Sequence, residues 1–215
     1  PFSDSVNVGN YGLGQTPSGS YYGPAFVSRH ATDNYVSPAS NIQFGSSTND
    51  WWGCITERTS PKDTNDDASP NWGMYRYPRI CSSYRSNGTC RSYSNNNPNT
   101  ACPQSRVVPL TNSQTVLQSA INGLQVGGNT YGNVGMVWGY HAITPTEPFT
   151  EGVALNDQTW SKTVIMMTDG DNTVNSTYSA YGANSTLTPT DLNNKFAQTC
   201  TNMKNDGITI YTITF

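Results

Sequence analysis

The fold class is decided by KTVIMMTDG, residues 162–170, and by TPTDLNNKFAQTCTNMKNDGITIYTITF, residues 188–215. The first stretch holds a short apolar run bounded by turn residues, which predicts a strand buried on both faces. The second opens with Thr-Pro-Thr-Asp, which is typical of a helix start. We expect that helix to end near Gly207 and residues 208–215 to form a second buried strand. Strand, helix and strand in this order predict a parallel sheet covered by helices.

Two further helices are predicted upstream of these stretches. Thr111 or Asn112 can cap the first, because a short side-chain oxygen can accept from the free N–H groups of a first turn. The spacing of its apolar residues gives one helical face, and these residues are Val116, Leu117, Ala120, Ile121 and Leu124. A second helical stretch covers residues 134–143. The whole pattern predicts an α/β fold in which helices flank a parallel sheet.

The region before residue 107 has a different composition. Residues 1–8 have the pattern of a strand, whereas residues 9–106 are rich in Gly, Ser, Asn, Tyr and Pro. A structureless loop of that length is implausible inside a domain, so a folded insertion is expected. We therefore predict an α/β domain built from residues 1–8 and 107–215, with 9–106 as a Cys-containing insertion of short strands and turns. The domain is also expected to be incomplete at both ends, because an apolar alternation is still running at Phe215.

The five cysteines indicate disulfides rather than a metal site. None forms a CxxC pair, and structural zinc needs closely paired ligands. Four lie in a segment poor in aliphatic residues, which needs covalent cross-links and implies an oxidising compartment. Cys200 is on a predicted helix, either paired beyond Phe215 or free and buried. The disulfide candidates are Cys54, Cys81, Cys90, Cys102 and Cys200.

The charge balance excludes some classes of function. The chain has 11 Lys and Arg against 14 Asp and Glu, a net charge of −3. A nucleic-acid-binding protein needs a basic face, so that class is not expected. No apolar run approaches the length of a membrane-spanning helix, so no membrane span is expected. The sparsely charged, Asn- and Tyr-rich composition is typical of secreted or surface proteins.

Asp169 is the strongest candidate for a functional residue. A carboxylate just past the carboxyl end of a central parallel strand lies where ligands bind in such sheets. Asp169 could therefore be a metal ligand, a catalytic acid or a turn former, because Asp-Gly is also common in turns.

The order of several motifs resembles a von Willebrand factor type A (vWA) domain. The similarity extends to the TadG-like proteins of tight-adherence (Tad) pilus assembly in Gram-negative bacteria. It covers about half of the chain, and it rests on residues 107–152, 162–173 and 200–215, with weaker support from 1–8 and 51–61.

The resemblance implies a metal site on three loops. It maps a threonine ligand to Thr130 and an aspartate ligand to Asp169, but the family's Asp-x-Ser-x-Ser loop has no counterpart in this sequence. A hard cation wants about six oxygen ligands. Mg²⁺ or Ca²⁺ is therefore expected in a complete parent protein, and no cofactor in this chain.

The composition and the motifs bear on three classes of function. We expect a non-enzymatic extracellular or cell-envelope protein (periplasm or outer surface) for adhesion or pilus assembly. Its partner would be a pilus or envelope component, or a host surface. The alternative is a secreted carbohydrate-binding or surface-layer module, with Trp51 and Trp52 stacking on sugar rings. An enzyme is not expected, because no GxSxG, HExxH or P-loop motif is present.

Overall fold

The structure, a computed structural model, describes residues 53–214 apart from positions 70, 71, 76, 78, 97, 98, 175–177 and 184, together with five two-residue strands before residue 53. The helices are α1 (Gln114–Asn122), α2 (Gly132–Ile143) and α3 (Pro189–Asn205). The strands are β1 (Val6–Asn7), β2 (Gly14–Gln15), β3 (Tyr21–Tyr22), β4 (Val27–Ser28), β5 (Ile42–Gln43), β6 (Cys54–Thr56), β7 (Trp72–Met74), β8 (Arg79–Tyr84), β9 (Cys90–Tyr93), β10 (Thr163–Thr168), β11 (Tyr178–Ser179), β12 (Gly182–Ala183) and β13 (Thr209–Thr214).

Strands β10 and β13 form a parallel pair, with Thr163 opposite Thr209 and Thr168 opposite Thr214. The chain passes from one to the other through the β11–β12 hairpin and α3. One face of the pair packs against α2 and α3, and its core consists of Met136, Tyr140, Met166, Met203 and Ile208. The prediction of a mixed α/β fold with a parallel sheet is therefore confirmed.

The prediction that both strands are buried on both faces is wrong. Met166 is 5% exposed, but its neighbours Ile165 and Met167 are 60% and 56% exposed. On β13, Tyr211 and Ile213 are exposed in the same way. The reason is that α2 and α3 lie on the same face of the pair, and no described segment covers the other face.

Helix α3 begins as its sequence predicts. Thr188 Oγ1 accepts a hydrogen bond from the Asp191 N–H at 3.2 Å, and Asp191 Oδ2 accepts one from the Thr188 N–H at 2.8 Å. This reciprocal capping box satisfies two N–H groups that the first turn leaves free. The chain leaves the helix through Gly207, whose φ of +77° suits a residue without a Cβ atom.

Helix α1 differs from its prediction in two respects. Ser113, not Thr111 or Asn112, is the N-cap, and its hydroxyl accepts a hydrogen bond from the Val116 N–H at 3.4 Å. The Thr111 hydroxyl is already engaged in the preceding turn, where it accepts a hydrogen bond from the Ser113 N–H. No residue of α1 is buried, so its apolar face forms but is largely exposed in the described part of the chain.

The segment from β6 to β9 consists of short antiparallel strands held by two disulfides. β6 pairs with β7, and β8 pairs with β9. The disulfides join Cys54 to Cys102 and Cys81 to Cys90, whereas Cys200 is a free, half-buried thiol. The predicted disulfides are thus present, and they indicate an oxidising compartment.

This segment shares a core with the helical part of the chain. Ile55 and Trp72 pack in one cluster with Val137 and Trp138 of α2. β1, which we grouped with the α/β domain, pairs antiparallel with β6. The proposed boundary near residue 106 remains a prediction, and the packing shows that the two sides of it are in contact.

Candidate functional site

The loop after β10 lies against the turn before α2. The Thr130 N–H donates to Thr173 Oγ1 at 2.9 Å, and the Thr173 N–H donates to the Thr130 carbonyl at 2.9 Å. Asn172 Oδ1 accepts from the Gly132 N–H at 2.7 Å. We call Thr130, Asp169, Asn172 and Thr173 the edge cluster, because they lie at the carboxyl end of β10. The structure thus brings the loop that begins at Asp169 onto the turn that contains Thr130.

Gly132 permits this close approach. A Cβ atom at this position would lie 3.2 Å from Asn172 Oδ1 and 3.6 Å from the Met166 methyl group. A larger residue here would require the Asn172 side chain to shift by a few tenths of an ångström. Asn172 also donates from Nδ2 to Asn193 Oδ1 at 2.7 Å, so the same side chain ties the loop to α3.

The edge cluster contains one carboxylate, Asp169. The cluster's oxygens Thr173 Oγ1 and Asn172 Oδ1 each accept a backbone N–H group. Asp169 is exposed, and within the described residues no group of three His, Cys, Asp or Glu side chains could hold a metal ion. A hard cation needs about six oxygen ligands. We therefore assign no step to a metal ion.

A second site, which no sequence pattern indicated, is a buried group of charged and titratable residues. It lies where the loop after β6 meets α2 and α3. We call it the buried charge cluster, and its members are Glu57, Arg58, Asp63, His141 and Lys195.

Arg58 is the centre of this cluster. Its guanidinium group lies 3.9 Å from the centroid of the Trp72 ring, donates to the Lys62 carbonyl at 2.6 Å and contacts His141 Nε2 at 3.2 Å. A guanidinium stacked on an aromatic face combines a cation–π contact with directional hydrogen bonds. Arg58 therefore holds the loop after β6 onto helix α2.

Burial keeps His141 uncharged. The ring is fully buried, with centroid distances of 5.0 Å to Trp72 and 5.5 Å to Trp138. Desolvation, helped by the positive charge of Arg58, lowers the pKa of His141 to about 3. His141 is therefore a packed residue of the core.

Glu57 is buried beside the same aromatic residues. Its Oε2 accepts from the Trp138 indole N–H at 3.1 Å, and its Oε1 accepts from the Arg58 N–H at 2.8 Å. Desolvation raises the pKa of the Glu57 carboxyl above its ordinary value, and the hydrogen bond from the Arg58 N–H opposes this shift.

Asp63 and Lys195 form a buried ion pair that joins the loop after β6 to helix α3. Lys195 Nζ lies 2.5 Å from Asp63 Oδ2, and the side chains are 16% and 0% exposed. The sequence did not indicate that these two residues pair. Asp63 belongs to the run PKDTNDD, which has the composition of a turn exposed to solvent. The two partners are 132 residues apart, and nothing in the periodicity connects them.

Residues 51–75 include four aromatic side chains, of which Trp51 and Trp52 are the ones predicted to bind sugar. Trp51 and Trp52 lie outside the described residues, so the binding role predicted for them remains a prediction. Trp72 and Tyr75 are fully buried and therefore belong to the core, not to an exposed binding face.

Comparison with protein-family models, curated proteins and solved structures finds no match to this chain. None of the helices in the described part of the chain has the length and apolar character needed to cross a bilayer.

Proposed function

We propose that this chain is a non-enzymatic protein of the extracellular space or the cell envelope, active in adhesion or pilus assembly through contacts with other proteins. The edge cluster is the observation that carries the proposal. A parallel strand ends at Thr168, and the loop that begins at Asp169 is hydrogen-bonded to the Thr130 turn before α2. Ligands bind at the carboxyl ends of strands in open α/β sheets, which makes this edge the best candidate for partner contact.

Two further observations support this proposal. The disulfides indicate an oxidising compartment, in agreement with a location outside the cytoplasm. The charged residues that are most deeply buried are engaged with one another, and His141 is held neutral in the core. These residues support the packing of the fold.

The test is deletion of the encoding gene in the source bacterium. We expect a loss of pilus-dependent attachment to surfaces, restored by a plasmid copy of the wild-type gene. Accessibility of the protein to added protease in intact cells would establish its exposure at the surface. Attachment that is unchanged after deletion would contradict the proposal. Glycan binding by the purified chain that is lost in Trp51→Ala or Trp52→Ala would favour the carbohydrate-binding alternative instead.

A further inference from the structure

A primary amine and a carboxyl group are held in contact inside the core. Lys195 Nζ lies 2.5 Å from Asp63 Oδ2, and Asp63 is completely buried. Among the described residues, no donor lies within normal hydrogen-bond distance and angle of Asp63 Oδ1. An ordinary buried ion pair is stabilised by satisfying both carboxylate oxygens. In this pair Oδ2 faces the amine, and the Tyr181 hydroxyl is a further polar neighbour of the carboxyl group.

The segment that carries Asp63 is pinned on several sides. Arg58 donates to the Lys62 carbonyl at 2.6 Å, and Asn202 of α3 donates to the Thr64 carbonyl at 2.9 Å. Within the loop, the Thr64 hydroxyl donates to the Pro61 carbonyl at 2.8 Å. Both residues next to Asp63 are thus fixed through their carbonyls. Fixing two reacting groups in contact removes the entropic cost of bringing them together.

Other buried groups surround the pair. The Lys195 amine lies 5.5 Å from the centroid of the Tyr181 ring. Glu57, a second buried carboxyl, and the Arg58 guanidinium both interact electrostatically with Asp63. Moving one proton from Lys195 Nζ to Asp63 Oδ2, along their existing contact, produces an uncharged amine and an uncharged carboxylic acid.

We propose that Lys195 and Asp63 form an intramolecular amide bond. In this step Lys195 Nζ attacks Asp63 Cγ, so that an N–C bond forms and the bond from Cγ to the hydroxyl oxygen breaks. Nζ gives up one proton, which leaves with the hydroxyl group as one molecule of water. The step needs no oxidant, reductant or other reactant. The product is a covalent cross-link between the loop after β6 and helix α3.

This inference goes beyond the proposed function and stands independently of it. The cross-link would join residues 132 positions apart, so it would enclose most of the described chain, including the parallel strand β10. A protein that carries mechanical load at a cell surface would gain resistance to unfolding from such a bond.

The test is the intact mass of the full 215-residue chain after complete reduction of its disulfides. We expect a mass lower than the sequence mass by one water molecule. Trypsin cleaves after Lys62, Arg76, Lys162 and Lys204, and amide formation blocks cleavage after Lys195. The digest should therefore contain a branched peptide that joins residues 63–76 to residues 163–204.

Two variants make the result specific. Lys195→Arg keeps a cation for Asp63 but replaces the amine with a poorly nucleophilic guanidinium, so it should retain the full sequence mass. Lys204→Arg, on the same helix, should still lose one water molecule. A wild-type chain at full sequence mass, with cleavage after Lys195, would overturn the proposal and leave an ion pair only. Loss of water that persists in Lys195→Arg would overturn it as well, because that result indicates cyclisation at another aspartate.

Discussion

At the scale of single residues, the fold holds His141 in an uncharged state between two indole rings. Its pKa of about 3 lies below the ordinary value of 6.5 because of desolvation and the nearby Arg58. As the pH falls, the unfolded chain binds a proton at this residue before the folded chain does. The stability that depends on neutral His141 is therefore fully present above pH 6.5 and is lost progressively as the pH falls towards 3.

This linkage gives a prediction for acid sensitivity. Each unit of pH below 6.5 costs about 1.4 kcal/mol while the folded ring remains neutral, so the contribution of this site falls by about 2 kcal/mol between pH 6.5 and 5. His141→Gln should lack that part of the acid dependence. Urea unfolding of both proteins at pH 7 and pH 5 measures the difference. Equal changes in unfolding free energy for the two proteins would show that His141 is not buried as a neutral ring.

Neighbouring residues on β10 provide a second prediction. Met166 packs in the core at 5% exposure, whereas Met167 on the opposite face is 56% exposed. Met166→Lys would bury an unpaired charge and should destabilise the fold by ~3 kcal/mol or more. Met167→Lys should change stability by only about 0.5 kcal/mol. Chemical unfolding of the two variants compares the faces directly, and equal losses would contradict the one-sided packing of this strand.

At the scale of secondary-structure elements, helix α3 depends on its capping box. Thr188→Ala removes the hydroxyl that accepts from the Asp191 N–H, and we expect a loss of about 1 kcal/mol in the free energy of unfolding. Thr186→Ala is the matched control, because Thr186 is exposed and precedes the helix. Denaturant titration of both variants measures the effect. A loss of the same size at Thr186 would mean that the cap contributes nothing specific.

Local signals predicted helices better than they predicted packing. The Thr-Pro-Thr-Asp start of α3 is encoded within four residues, so it could be found from the sequence. The apolar faces of α1 and β10 are also local, but what covers a face depends on the rest of the fold. Ile121 at 61% and Ile165 at 60% exposure show that an apolar pattern does not by itself establish burial.

The buried charge cluster could not be predicted from the sequence either, because burial depends on the rest of the fold. Glu57 and Arg58 follow a β-strand in a stretch that also contains Lys and several Asp residues, a composition usually found in solvent. Their burial depends on Trp72 and Trp138, which come from separate parts of the chain. By contrast, the strand pattern predicted the position of Asp169 after β10, and the family resemblance alone associated Thr130 with it.

At the scale of the whole molecule, the two disulfides should differ in their effect on stability. Cys54 and Cys102 are 48 residues apart, and Cys81 and Cys90 are 9 apart. In the chain-entropy account, the longer loop contributes roughly 4 kcal/mol and the shorter one roughly 3 kcal/mol. Replacing each pair by alanine and measuring urea unfolding tests this order. A larger loss from the Cys81–Cys90 pair would contradict it.

The packing around Cys54 also supports the prediction that the Cys54–Cys102 disulfide contributes more to stability. Cys54 and Ile55 are in β6, next to the core formed with Val137 and Trp138 of α2. The Cys54–Cys102 bond therefore constrains a segment that supports the main core. The Cys81–Cys90 bond closes the β8–β9 hairpin, and most residues of β9 are only partly buried or exposed.

The central claim is that the edge after β10 is where this protein meets its partner. Asp169 is exposed and follows β10, whereas Asp157 is half-buried and precedes β10, a strand about 20 Å long. The most direct measurement is surface attachment of deletion cells complemented with Asp169→Asn or with Asp157→Asn, at equal protein levels. We predict that Asp169→Asn reduces attachment severalfold, whereas Asp157→Asn attaches like the wild type. Equal attachment in both strains would contradict the claim.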